Sequence, residues 1–362
     1  MRVLSLFDGI SCARVALERA GIPVDEYLAS EVDPHAIAIS TKNYPDIVRL
    51  GDVREVRDVG AIDLLIGGSP CQDLSVAKKG RQGLEGSRSS LFWEYVRIWR
   101  EVKPTWFVLE NVASMPKADR DTITREMGVE PILIDAALVS AQSRKRLFWT
   151  NLPVVQPEDR GIVLRDILET EVDASYDVIG KAFTPSSGMR DMDISYVGHL
   201  DGGMRKGMEG QEALSRAHRQ THRVYGDEGK APTLSASETS GRVHVAIGRD
   251  IGRRLNEEGR RADADTSLPY VRRVELREDG KSGTLTSVLK DNLVVGEARI
   301  RKLTPVECER LQGLPDGYTE GVVRTHRYKA LGNAFNVDVV AHILAGVGGS
   351  RPKTDEILWK KV

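Results

Sequence analysis

Cysteine is scarce in this chain: its 362 residues carry only Cys12, Cys71 and Cys308. An odd, widely spaced set argues against a disulfide framework and against a zinc site, and it suits a reducing compartment. A surplus of charge of either sign is also missing. Lys and Arg number 52 against 53 Asp and Glu, a formal net charge of -1. No global basic field announces a polyanionic partner, so any such contact needs a local patch. Long apolar runs are absent too. No stretch approaches the length of a membrane span. The opening apolar run through Leu6-Phe7 breaks at Asp8-Gly9 and is too short for a signal peptide. These absences predict a cytosolic protein with neither membrane nor metal association. What remains is an ordinary globular composition, 40% hydrophobic and 29% charged, with length for one large or two ordinary domains.

The chain is best read around Asp63-Leu64-Leu65-Ile66-Gly67-Gly68-Ser69-Pro70-Cys71-Gln72. A short apolar run ending in glycines and a proline predicts a buried strand that stops in a sharp loop. Cys71 then follows a strand's carboxyl end, where open α/β sheets gather ligands and chemistry. A lone cysteine there suits core packing as well as reactivity, and its neighbours favour reactivity.

Those neighbours recur along the chain. Strands are predicted at Val3–Phe7, Tyr27–Ser30, Ile47–Leu50, Leu64–Ile66 and Trp106–Leu109. Helices are predicted over Ser11–Ala20, stopped by Gly21, and over Leu91–Val102. Ile132–Ala136 and Leu147–Trp149 read as further strands. Alternation of this kind means a mostly parallel sheet with helices on both faces. Asp8, Glu31, Asp52, Cys71 and Glu110 each follow a predicted strand end, so they are expected along one sheet edge. Glu31, about 20 residues after the first glycine turn, stands where a carboxylate accepts hydrogen bonds from ribose hydroxyls.

After Pro153 the texture changes to Gly, Ser, Thr, Arg and His. A weak repeat, Lys230 to Ser237 with Arg242 to Ala246, then Lys281 to Ser287 with Leu293-Val294-Val295, suggests short strand pairs of a second, strand-rich domain. Arg216, His218, Arg219, His222 and Arg223 suit phosphate and base-edge contacts, or a solvated charged face. Thr304, Pro305 and Glu307 match an N-cap, a first helical proline and a capping box, and Gly313 ends that helix. Cys308 and Cys12 are expected to be packed. A last helix is predicted from Asn336 to Leu344.

Taken in order, these residues resemble the DNA methyltransferases that act on carbon 5 of cytosine with S-adenosylmethionine. The similarity covers roughly residues 1–153 and 299–345. It is carried by Leu6-Phe7-Asp8-Gly9-Ile10, Ser30-Glu31-Val32-Asp33, Gly51-Asp52-Val53, Gly68-Ser69-Pro70-Cys71-Gln72, Glu110-Asn111-Val112 and Gln142-Ser143-Arg144-Lys145-Arg146. Arg301 to Pro305 with Gln312 to Pro315, and Gly332-Asn333, complete the order. The amino-terminal half is similar to the vertebrate de novo enzymes, and Arg301 to Pro315 to bacterial and phage members. Ile10-Ser11-Cys12 stand where the family usually has more glycines, which bears on cofactor affinity.

The resemblance implies an α/β fold: a Rossmann-like methyltransferase domain over 1–155 and a smaller strand-rich target-recognition domain over 156–324, the latter including the helix at 303–313. The chain would return to the catalytic domain over 325–346 and end in a flexible tail, 347–362. It implies catalytic roles for Cys71, Glu110, Arg144 and Arg146. Cofactor contacts would come from Phe7, Asp8, Gly9, Ile10, Glu31, Val32, Asp52, Val53, Ser69, Pro70, Leu91, Asn333 and Ala334. DNA contacts would come from Gln72, Ser75, Lys78, Lys79, Arg81, Arg216, Arg219 and Arg223. The implied partner is double-stranded DNA, with S-adenosylhomocysteine as product, in the cytoplasm of a bacterial or phage-infected cell. A cognate restriction endonuclease is a further partner that the family allows, and the chain is read as a monomer. Within this reading, Cys71 would attack carbon 6 of the base, Glu110 would hold its amino group and ring nitrogen, and Arg144 would meet its carbonyl oxygen. Glycines 67 and 68 would let the loop approach the base. Two alternatives remain at this point: an RNA cytosine methyltransferase on the same scaffold, and a silent DNA-binding paralogue.

Overall fold

A computed structural model describes residues 1–69, 91–176, 183–184, 199–200, 246–254, 267–268, 270–277, 285, 293–295 and 300–347. The chain forms two compact units, Met1–Ile162 with Glu309–Val362, and Val163–Cys308. The sequence reading set the corresponding boundaries at 155/156 and 324/325.

The first unit is built on a seven-stranded sheet. Its strands are β1 (Arg2–Leu6), β2 (Glu26–Ser30), β3 (Val48–Gly51), β4 (Leu64–Gly68), β5 (Trp106–Val112), β6 (Ile132–Asp135) and β7 (Lys145–Thr150). They lie in the order β3-β2-β1-β4-β5-β7-β6. The first five are mutually parallel, and β7 runs antiparallel to both β5 and β6. Leu4, Leu6, Leu65, Phe107 and Trp149 are buried in one core cluster. Burial of each contributes about 1.5–3 kcal/mol. Strand order reverses between β1 and β4, which opens a crevice at their carboxyl ends.

Helices α1 (Cys12–Arg19), α2 (Pro34–Asn43), α3 (Leu91–Val102) and α4 (Lys117–Met127) alternate with these strands. The apolar face of α3 buries Phe92, Tyr95, Val96, Ile98 and Trp99, and Trp99 meets Phe107 edge-on at 5.5 Å. The sequence reading missed α2, α4 and the later α6. Each has few apolar residues to mark it; α4 buries only Ile123 and Met127. The start of α2 is nonetheless local chemistry. Asp33 accepts from the amides of His35 at 2.9 Å and Ala36 at 3.4 Å, with Pro34 in the first turn.

The chain enters α5 (Pro305–Leu311) in the second unit and leaves it in the first. It then adds α6 (Arg324–Asn333) and α7 (Val337–Leu344). Asn336 caps α7 by accepting from the Val339 amide at 3.1 Å, as the predicted helix start requires. Helix α7 packs on α1, and Arg19 Nη1 pairs with Asp338 at 2.9 Å. Cys12 and Cys308 are both buried, as expected.

The second unit holds β8 (Phe183–Thr184), β9 (His199–Leu200), β10 (Ala246–Arg254), β11 (Tyr270–Arg277), β12 (Leu293–Val295) and β13 (Ile300–Lys302). The last four form an antiparallel sheet in the order β11-β10-β12-β13. The predicted capping box is present: the Thr304 amide donates to Glu307 Oε2 at 2.8 Å and the Glu307 amide to Thr304 Oγ1 at 3.1 Å. The same buried carboxylate takes two hydrogen bonds from Arg301, at 2.8 and 2.7 Å. Among the described residues, no helix is long and apolar enough to cross a membrane, and no cluster of three or more His, Cys, Asp or Glu could hold a metal ion.

Candidate functional site

The carboxyl ends of β1 and β2 are joined by one carboxylate. Glu31 Oε2 accepts from the Gly9 amide at 2.8 Å, and Oε1 accepts from the amides of Val32 at 2.7 Å and Asp33 at 2.8 Å. Three backbone donors lock its rotamer. Val32 beside it is 65% exposed, an apolar surface. The loop from Phe7 to Ser11 holds three left-handed residues, Phe7 (φ 57°), Gly9 (φ 59°) and Ser11 (φ 60°). For the two that are not glycine, such a conformation costs about 1–3 kcal/mol each and persists only where the surroundings enforce it.

Asp8 sits differently from a ligand-facing residue. Its side chain is buried and accepts from Tyr27 Oη at 2.7 Å and from Ser11 Oγ, and burial pushes its carboxyl above the ordinary aspartate pKa. Ile10 is likewise buried, and its carbonyl accepts from Tyr318 Oη at 2.7 Å. Asp52 caps the turn that follows β3 and binds Arg54, with Nη2 to Oδ2 at 2.5 Å. That guanidinium holds its carboxyl down to about 2. Val53 is buried. Leu91 opens α3 and packs half-buried against the core.

A second group forms around β4, β5 and β7. Glu110, predicted to follow a strand, lies inside β5, in register with Gly68 on one side and Phe148 on the other. Arg146 Nε meets Glu110 Oε1 at 2.7 Å, and both side chains are about 85% shielded (15% and 14% exposed). A small pocket here is lined by Glu110, Arg144, Arg146, Phe148 and Phe335, among others. Asn111, next to Glu110, donates to Ser69 Oγ at 3.0 Å. It therefore ties β5 to the residue just before Pro70-Cys71. Ser69 is itself buried.

Arg144, expected at the carbonyl oxygen of the base, lines the same pocket. It is buried, and its Nη2 donates to the carbonyls of Gly332 at 3.2 Å and Ala334 at 2.8 Å. The guanidinium facing Glu110 is that of Arg146. Arg144 instead anchors the Gly332-Asn333-Ala334 segment, in which Asn333 is exposed and Ala334 buried. The two glycines have close neighbours in the fold. A Cβ on Gly67 would meet the Leu6 carbonyl oxygen at 2.8 Å; one on Gly68 would meet Phe335 Cε1 at 2.7 Å and Glu110 Oε2 at 2.8 Å. Both lie within β4, and what they admit is the protein's own packing.

Sequence reasoning missed Phe335 and the partners of Asp8. The hint for the first was its place directly after Gly332-Asn333-Ala334. For the arginines, the spacing Arg144-x-Arg146 was visible, but not which of the two meets Glu110. Pro70, Cys71, Gln72, Ser75, Lys78, Lys79, Arg81, Arg216, Arg219 and Arg223 lie outside the described residues.

Comparison with known proteins identifies the family. The family model described as C-5 cytosine-specific DNA methylase matches residues 1–348. The orphan methyltransferase M.SPRI of Bacillus phage SPR is 26% identical over 437 aligned positions, covering 95% of this chain and 96% of that protein. The type II methyltransferase M.HgiCI of Herpetosiphon aurantiacus is 26% identical, covering 95% of this chain and 97% of that protein. Among solved structures, the S. pombe Dnmt2 methyltransferase shares the fold with a TM-score of 0.54 at 17% identity, covering 96% of this chain and 99% of that one. With one family model spanning nearly all of its length, the chain belongs to the C-5 cytosine-specific DNA methylases.

Proposed function

We propose that this protein methylates carbon 5 of cytosine within a short, specific sequence of double-stranded DNA, drawing the methyl group from S-adenosylmethionine. The observation that carries the reading is the shielded Glu110–Arg146 pair, set one strand away from the chain that leads into Cys71. A carboxylate and a guanidinium at 2.7 Å offer the acceptor and donors that a cytosine edge requires.

The amino-terminal edge fits the cofactor. Glu31 is fixed by three amides, so an oxygen lone pair is held in place for ribose hydroxyls. Val32 supplies an apolar face for an adenine ring. Phe7 and Gly9 follow β1 and Asp52 follows β3, the strands on either side of β2. When bound, the cofactor supplies a methyl group on a positively charged sulfur.

The remaining steps belong to the chain. Cytosine carbon 5 is a poor nucleophile while the ring is aromatic. The Cys71 thiolate bonds to carbon 6, and the electrons of the 5,6 double bond move to carbon 5. Glu110 accepts a hydrogen bond from the amino group and shares a proton with ring nitrogen 3, where the charge developing on the ring is met. Arg146 donates to the carbonyl oxygen, the role that the engagement of Arg144 leaves to it. Once carbon 5 carries the methyl group, solvent water takes the carbon 5 proton, the C–H electron pair re-forms the 5,6 double bond, and the bond from carbon 6 to Cys71 breaks to release the thiolate. A target stacked in a duplex must first be flipped out, at a cost of a few kcal/mol. In this proposal Gln72, Ser75, Lys78, Lys79 and Arg81 contact the DNA beside the target. The unit Val163–Cys308, with Arg216, Arg219 and Arg223, reads the sequence. The phage and bacterial relatives support a setting in the bacterial cytoplasm, with or without a companion restriction nuclease.

The test is expression in a host lacking cytosine methylation, followed by bisulfite sequencing of genomic DNA and total RNA, with Cys71→Ser as the control. One recurrent motif methylated in DNA, and lost in the control, supports the reading and names the site. Methylation confined to RNA transfers the reading to an RNA enzyme. Methylation in neither, by protein that still binds S-adenosylmethionine, refutes the catalytic reading.

A further inference from the structure

Beneath the loop Phe7–Ser11 lies a buried polar chain that no cofactor contact explains. Arg49, on β3, donates from Nη2 to Ser40 Oγ at 2.7 Å. Ser40 and Ser11 share a hydrogen bond between their hydroxyls, and Ser11 Oγ donates to Asp8 Oδ2. Tyr27 Oη donates to Asp8 Oδ1 at 2.7 Å. Ser11 and Ser40 are fully buried, Tyr27 is 2% exposed, and the Asp8 side chain has no exposure. Arg49 Nη1 stands 3.8 Å from Asp8 Oδ2 and has no hydrogen-bond partner of its own.

One donor order satisfies the hydroxyls of Ser40, Ser11 and Tyr27. The guanidinium can only donate, so Ser40 accepts from it and passes its own proton toward Ser11. Ser11 in turn donates to Asp8, which receives Tyr27 on its other oxygen. All the donors therefore run toward one carboxylate. The chain starts on β3, crosses α2 at Ser40, and ends in the loop after β1. With Tyr27 on β2, it touches β1's following loop, β2 and β3, and the ends of those three strands lead into Gly9, Glu31 and Asp52.

We propose that Arg49, Ser40, Ser11, Tyr27 and Asp8 form a positioning relay that holds the left-handed loop Phe7–Ser11, so that side chains with no cofactor contact set the affinity for S-adenosylmethionine. The relay does the work that additional glycines would otherwise do. Phe7 and Ser11 adopt glycine-like angles, and partnered polar groups are the means by which a buried network specifies one backbone arrangement. It also couples β3 to the loop, so a perturbation in α2 reaches the amide of Gly9 that meets Glu31.

The inference rests on the assignment of this edge to the cofactor, and the experiment separates the two. S-Adenosylhomocysteine is titrated calorimetrically into the full-length wild type and into Ser40→Ala, Tyr27→Phe and Glu31→Ala, each checked for folding by circular dichroism at the titration temperature. DNA affinity and the split between KM for S-adenosylmethionine and kcat are measured alongside. Ser40→Ala and Tyr27→Phe are expected to weaken S-adenosylhomocysteine about tenfold and raise KM for S-adenosylmethionine similarly, with kcat and DNA affinity within twofold of wild type. Ser40→Thr, which restores the hydroxyl, recovers most of the affinity. If Glu31→Ala weakens binding while both relay variants bind as wild type, the relay is overturned and the cofactor site stands. If cofactor and DNA affinity fall together in the relay variants, a fold-wide role replaces the proposal. If Glu31→Ala binds normally, the cofactor assignment fails and the relay proposal with it.

Discussion

Gly68→Ala is the sharpest probe of how the Glu110 pocket is held. Gly68 has no left-handed backbone angle, so alanine meets no conformational penalty there and the effect is purely steric. Its new methyl would lie 2.7 Å from Phe335 Cε1 and 2.8 Å from Glu110 Oε2. Comfortable contacts are about 3.5–4.0 Å, so the two groups must retreat by roughly 0.7–1.3 Å. Glu110 is already tied to Arg146 at 2.7 Å, so it cannot retreat without disturbing that pair. A shift of about 1 Å in a catalytic group costs about a hundredfold in rate, or roughly 2.7 kcal/mol. The overpacking itself should cost about 1–3 kcal/mol of stability. Gly67→Ala is the matched control. Its methyl would strike the Leu6 carbonyl oxygen at 2.8 Å and Tyr95 at 3.3 Å, which is core and not pocket. Single-turnover methylation of a DNA duplex, with thermal melting of the same samples, distinguishes the two. Gly68→Ala should lose about a hundredfold in rate while remaining folded. Gly67→Ala should lose melting temperature, with the rate of the folded fraction within a few-fold of wild type. A Gly68→Ala rate within threefold of wild type would refute the claim that this glycine sets the position of Glu110.

The other predictions concern the flanking groups. Arg146→Ala should lower the methylation rate about a hundredfold or more with little change in melting, whereas Arg144→Ala should lower the melting temperature first, because the buried carbonyls of Gly332 and Ala334 lose their donor at about 1–3 kcal/mol; the reverse pattern would return the base-facing role to Arg144. Glu31→Ala should weaken S-adenosylmethionine binding by about 1.5–3 kcal/mol, the range of a charge-assisted hydrogen bond, and unchanged calorimetric affinity would remove Glu31 from the site. Exchanging residues 163–308 for those of a relative should move the methylated sequence and leave the cofactor constant unchanged; an active hybrid that keeps the original target places the reader elsewhere.

The sequence by itself determined the features whose physics is local. Strand alternation located β1 to β5. Thr304 with Glu307, and Asn336, announced their helix starts because a cap is satisfied within one turn. Glu31 could be marked at a strand end from spacing alone. The tertiary structure decided what depends on contacts between distant segments. Arg144 and Arg146 are alike by sequence, and only the return of residues 309–347 to the sheet engages the first with Ala334, 190 positions away, while β7 carries the second to Glu110. Asp8 is marked at a strand end by spacing, but that Tyr27 and Ser11 donate to its two oxygens depends on β2 and on the turn into α1. Gly67 and Gly68 read as a flexible approach to a ligand, but their neighbours Leu6, Glu110 and Phe335 come from other strands and from the far end of the chain. A residue's type and spacing limit the chemistry open to it. Which partner it meets is set by strand register and by the elements that pack over it, and neither is encoded within one turn of helix or one strand.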